Sequence, residues 1–107
     1  MENKYISINT DNDSDFAVIT ISNDISINKT GKITSELRSA MKTYKNIKIT
    51  VPEVVNIDLS GIQMFYSIAK TMQANKKEIN FEFNFSSDIK KIISETGFEN
   101  FFKQYWK

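Results

Sequence analysis

The side chains best placed for chemistry lie in the run NIDLSGIQMFYSIAK, Asn56 to Lys70. There a carboxylate (Asp58), a hydroxyl (Ser60) and a glycine (Gly61) stand directly before an apolar, helix-like stretch. At a helix start either oxygen can accept from an orphan backbone N–H, a cap worth about 0.5 to 2 kcal/mol, and Gly61 permits a tight entry. The same geometry suits modification. A hydroxyl at a helix N-terminus is exposed and faces the positive end of the helix dipole, so a phosphate is tolerated there. Phosphorylation would add a charge of about −1.5 to −2 beside Asp58 and alter the surface that a partner meets. Cap and switch are compatible roles for one residue. An enzyme would need Asp58, Ser60 and a lysine such as Lys70 to work together. No base of suitable pKa, and no phosphate or cofactor loop, accompanies Ser60, so no catalytic residue and no cofactor is expected.

Other clusters read as ordinary surface or core. Asp11, Asp13 and Asp15 alternate in DNDSD, but the glycine and terminal glutamate of a calcium-binding EF-hand loop are missing, so a solvated turn is expected and no metal site. Lys76, Lys77, Lys90 and Lys91 form pairs that suit helix ends and outer faces. Phe98, Phe101, Phe102, Tyr105 and Trp106 recur at helical spacing, which fits a terminal segment docked on the core with Trp106 as its exposed member.

Composition narrows the function classes. The 107 residues, 40% hydrophobic and 25% charged, suit one globular domain spanning 1–107. Fourteen Lys and Arg against thirteen Asp and Glu leave a net charge of +1, too small a field to gather nucleic acid or anionic lipid. Without cysteine or histidine the chain has no disulfide, no thiolate or imidazole nucleophile and no nitrogen/sulfur zinc site. No stretch approaches the roughly 18 apolar residues of a membrane span, and the N-terminal residues lack a signal-peptide core. A cytoplasmic protein that does not insert in membranes is the expectation.

The elements that must position the motif follow from periodicity. KYISIN and FAVITI alternate as strands around the polar turn TDNDSD. SNDISINKTGK suits either a short third strand or an irregular crossover. From Thr30, Ile33, Leu37, Ala40, Met41 and Tyr44 form a helical stripe. NIKITV alternates and ends at Pro52, the only proline. A second helix follows Asp58 to Gly61, with Ile62, Phe65, Ile68, Ala69 and Met72 on its apolar face. INFEFNFS is a strand with Ile79, Phe81, Phe83 and Phe85 on one face and polar residues on the other, implying one buried and one wet face. In SSDIKKIISETG a third helix is capped by Ser86 or Ser87 and closed by Gly97. The sum is a small α/β domain with a mixed sheet of four to five strands and helices packed mainly on one face.

The run VVNIDLSGIQMFYSIAK, its spacing to INFEFNFSSDIKKIISETGFENFF, and the preceding strand-helix-strand order resemble the STAS domain, the fold of bacterial anti-sigma factor antagonists. The resemblance extends from about Ile6 to Phe102 and implies a phosphorylation-controlled binding module and not an enzyme. It places the phosphoacceptor at Ser60, the carboxylate at Asp58 and the glycine at Gly61, with Leu59 inside the motif; the outer face around Gln63, Tyr66 and Ser67 is the further partner-binding surface expected, the one on which assembly of a constitutive scaffold would depend. The implied partners are an anti-sigma factor acting as a serine kinase, which binds the unphosphorylated form, and a phosphatase that resets the switch. Leu59 stands where many antagonists carry a first hydroxyl, and Thr50 where many members carry an acid at the end of the preceding strand. Family members also act as scaffolds in stress signalling, as regulatory subunits of lipid-transport ATPases, and as domains of anion transporters. A constitutive scaffold or subunit is therefore the alternative expectation. An uncovered sheet face and an aromatic C-terminus suit either a monomer or a weak dimer.

Overall fold

The computed structural model describes residues 6–10, 16–21 and 23–105. The acidic turn with Asp11, Asp13 and Asp15, the strand start at Tyr5, and Trp106 lie outside the described residues. Among the described residues six strands and four helices follow in order: β1 (Ile6–Thr10), β2 (Phe16–Ile21), β3 (Asn23–Ile25), α1 (Ile27–Thr43), β4 (Asn46–Val51), β5 (Val54–Ile57), α2 (Leu59–Ala74), β6 (Glu78–Phe83), α3 (Ser87–Ser94) and α4 (Glu99–Lys103). A four-stranded sheet runs β1-β2-β4-β6, with β1 antiparallel to β2 and the remaining pairs parallel. The short strands β3 and β5 form a separate parallel pair. The mixed α/β architecture is the expected one, with β3 and β5 set apart as their own ribbon.

Alternation along the strands decides which face is buried. Ala17, Ile19 and Ile21 of β2, Ile47, Ile49 and Val51 of β4, and Phe81 and Phe83 of β6 all point to the helices. Register aligns them in rows, with Ile19 beside Ile49 and Ile49 beside Phe81. The opposite face is polar. There the Thr20 and Thr50 hydroxyls are 3.0 Å apart in a hydrogen bond, and Lys48 pairs with Glu82 at 3.2 Å. Thr50 thus faces away from the helices.

Aromatic packing closes the core. Phe65 of α2 meets Phe83 edge-on with ring centroids 5.3 Å apart, and Phe102 of α4 is fully buried against Phe83 and Phe85. The C-terminal aromatics are packing residues, as their spacing implies, although α4 itself is only five residues long.

Three local features differ from the sequence reading. α1 begins at Ile27 and not near Thr30, because the Ser26 carbonyl already accepts from the Lys29 and Thr30 N–H groups at 2.8 and 3.0 Å. β5 has no counterpart in the periodicity: its pattern shows a single fully buried residue, Ile57. α2 starts before the polar motif has ended, so Leu59, Ser60 and Gly61 lie inside its first turn. The α3 cap falls on Ser86, whose hydroxyl accepts from the Ile89 N–H at 3.3 Å, and Gly97 adopts φ +86° after the helix as expected.

Candidate functional site

Two strand-helix units set side by side build the site. Ile25 of β3 pairs with Ile57 of β5, and each strand runs directly into its helix. The ribbon is braced by Asp24, whose Oδ1 accepts from the Ser26 backbone N–H at 3.1 Å and from Asn56 Nδ2 at 3.3 Å. At their other ends Lys77 Nζ donates to the Met41 carbonyl in the last turn of α1. The two helices therefore run parallel, with both N-termini at one end of the interface between them.

Gly61 sets how closely the helix starts approach. A Cβ built on it would lie 2.2 Å from the Ile25 carbonyl oxygen, 2.9 Å from Ile25 Cγ2 and 3.0 Å from Ile57 Cγ1. Its backbone is ordinary helix, without positive φ. The glycine is thus demanded by the close passage of α2 over the β3-α1 junction, and not by a tight entry turn.

Capping separates the two polar residues of the motif. Asp58 is the N-cap, and its Oδ1 accepts from the Gly61 N–H at 3.2 Å. Ser60, the second residue of the helix, is half-exposed, and its hydroxyl makes no hydrogen bond with any described residue. The alternative in which Ser60 caps the helix does not apply, because Asp58 occupies that role. The Ser60 hydroxyl is left available on the surface at a helix N-terminus.

Ser60 opens onto a groove between α1 and α2 of about 1020 Å³. Gln63 and Ser67, one and two turns further along α2, line the same groove and are exposed. Tyr66 does not join them. It lies about 120° round the helix from Ser60 by helical geometry, with its ring 5.2 Å from Phe98 and 5.3 Å from Phe101. Tyr66 belongs to the aromatic packing under α4, and the outer face expected around Gln63, Tyr66 and Ser67 is divided between two surfaces. Leu59, next to Ser60 in the chain, is 49% exposed and Val55, on β5, is 65% exposed, and neither lines the groove.

Residues on α1 were not singled out by their sequence. Thr30, Thr34, Arg38 and Lys42 recur every four positions and form the opposite wall. A stripe of hydroxyls and cations without a carboxylate was the available signal.

Lys70 does not stand beside Ser60 in this arrangement. Lys70 is ten residues from Ser60, about 15 Å along the helix axis, and its Nζ sits 5.5 Å from the centroid of the Tyr66 ring. Among the described residues no cluster of carboxylates could hold a metal ion, and no helix is long and apolar enough to cross a membrane.

The STAS domain model matches residues 7–106, the span that contains the paired βα units, the Asp58–Gly61 motif and the C-terminal helices. The chain belongs to the STAS domain family. No curated protein matches it by sequence. Among solved structures it is similar to the anti-sigma factor antagonist SpoIIAA in its unphosphorylated form, with a TM-score of 0.71 and 12% identity, covering 95% of this chain and 85% of that one. The Bacillus cell fate determinant SpoIIAA in the phosphorylated form superposes with a TM-score of 0.68 at 12% identity, covering 95% and 88%. A part of the structure called Mglu is also similar, with a TM-score of 0.61 and 13% identity over 71% of this chain and 19% of that one. At such identities these similarities establish the STAS fold.

Proposed function

We propose that this STAS domain is a phosphorylation-regulated protein-protein interaction module of the anti-sigma factor antagonist type, acting in the cytoplasm without catalytic activity of its own. Ser60 is the phosphoacceptor. The unphosphorylated form binds a kinase-type anti-sigma partner, phosphate on Ser60 releases it, and a phosphatase restores binding. The reading rests chiefly on the uncommitted Ser60 hydroxyl: Asp58 carries the cap, so Ser60 is half-exposed at the start of α2 with no bond to break on modification. The similarity to SpoIIAA, solved in both unphosphorylated and phosphorylated forms, supports the same assignment. Asp58 and Gly61 are then the residues that hold Ser60 in place, and Leu59, Gln63 and Ser67 surround it on the partner-facing surface.

A constitutive scaffold or regulatory subunit is the second reading, favoured by the exposed Leu59 and Val55. Apolar contact at those side chains would not sense a phosphate as directly as contact at the Ser60 hydroxyl would.

Site-mapped intact mass of the protein from native cells, compared between growth and stress, tests the switch. Phosphate on Ser60 that changes with condition, and loss of the co-purifying partner in Ser60→Asp but not in Ser60→Ala, is the expected result. An unmodified Ser60 in all conditions, with Ser60→Asp retaining the partner, overturns it in favour of the constitutive subunit.

A further inference from the structure

We propose that the groove between α1 and α2 is the docking site for an acidic amphipathic helix of the partner protein. This rests on the reading of Ser60 as a partner-binding switch and supplies the partner's chemistry. The chain as a whole is almost neutral, at +1, yet the groove is not. Arg38, Lys42 and Lys77 line it, and none of its described lining residues is a carboxylate. A smaller depression along α1 shares Arg38 and Lys42 and again has no carboxylate among its described lining residues. The other described acidic residues stand outside it: Glu36 on α1 but not among the lining residues, Glu53 before β5, Glu78 and Glu82 on β6, and Asp88, Glu95 and Glu99 near the C-terminal helices. Asp24 and Asp58, near the N-terminal end, accept from backbone N–H groups.

Lys77 is tied to the Met41 carbonyl, whereas Arg38 and Lys42 are exposed and form no ion pair among the described residues. Their charges are available to an incoming anion. At the Ser60 end the parallel helices place two N-termini, and thus two positive dipole ends, side by side. The floor is apolar, formed by Met41, Met64 and Ile68. Methionine side chains adapt to a packed partner face. From Thr30 to Lys42 the wall is about 18 Å long, which accommodates about three turns of helix. An amphipathic helix would set apolar side chains on this floor and carboxylates against Arg38 and Lys42, the helix-in-groove mode of recognition. The regulatory sign follows. Phosphate on Ser60 adds about two negative charges at one end of a groove that attracts an anion, and so favours release.

The test uses the full chain and two synthetic helical peptides of about 15 residues with the same leucine face, one bearing Glu on its polar face and the other Lys. Amide shift mapping and fluorescence anisotropy read binding. The acidic peptide is expected to move the amides of Thr34, Arg38, Ser60 and Ser67 saturably, and the basic peptide to leave them in place. Arg38→Glu with Lys42→Glu weakens binding about tenfold or more, the neutral pair Arg38→Gln with Lys42→Gln less, and salt raised from about 50 to about 300 mM weakens the wild type. Binding unchanged in the charge-reversed protein, the absence of saturable shifts, or shifts confined to the open sheet face overturns the proposal. So does stronger movement of the same amides by anionic vesicles or by self-association. Groove binding that Ser60→Asp leaves unweakened upholds the docking site while refuting the switch, so the two can fail separately.

Discussion

Replacing Gly61 with alanine is expected to destabilise the fold, although the same change inside a helix ordinarily helps. Removing a glycine from a helix interior gains about 0.5 to 1 kcal/mol. Against this stands a Cβ 2.2 Å from the Ile25 carbonyl oxygen, with Ile25 Cγ2 and Ile57 Cγ1 at 2.9 and 3.0 Å. Overpacking costs about 1 to 3 kcal/mol where side chains can adjust. Here the nearest atom is backbone in a paired strand, so the upper part of that range applies and the net loss is about 2 kcal/mol. For a chain of this size that lowers Tm by about 8 to 16 °C. With an m-value of about 2 kcal/mol/M it lowers the urea midpoint by about 1 M. Gly31→Ala is the internal control. Its Cβ would meet nothing within 4 Å, and the position is exposed within α1, so that variant gains about 0.5 to 1 kcal/mol. Urea unfolding of both variants, followed by far-UV circular dichroism, measures the difference in sign. A Gly61→Ala protein as stable as wild type would refute the close approach of α2 to β3.

Asp58→Ala removes the α2 cap and should cost about 0.5 to 2 kcal/mol, whereas Ser60→Ala, which breaks no hydrogen bond with a described residue, should stay within about 0.5 kcal/mol. Denaturant midpoints for the pair check which residue is the cap, and equal losses would contradict the assignment. Phe102→Ala empties a fully buried site against Phe65, Phe83 and Phe85 and should cost about 3 to 5 kcal/mol, enough to unfold a marginal domain in a thermal melt. A loss below about 1 kcal/mol would mean that α4 does not dock as described.

Much of the fold was legible because long elements carry their own periodicity. Alternation in FAVITI, NIKITV and INFEFNF marks the core face residue by residue, since burial of one sheet face imposes a period of two. The stripes of α1 and α2 are equally plain. Asp58, Ser60 and Gly61 could be picked out as residue types, and a cap at this turn was expected. Which oxygen caps, however, depends on where the helix begins. β5 pairs with β3 across a long separation in sequence, and that contact brings Asp58 to the start of α2. Gly61 shows the same dependence, because the atom that excludes a side chain there belongs to Ile25, on a different strand. Tyr66 lies between Gln63 and Ser67 in sequence, yet helical geometry alone turns it away from Ser60; only the tertiary structure shows that Phe98 and Phe101 pack against it there. Local pattern specifies which face of an element is apolar. Which two faces meet, and hence the Ser60 groove between α1 and α2, is set by strand pairing and close packing among residues far apart in the chain.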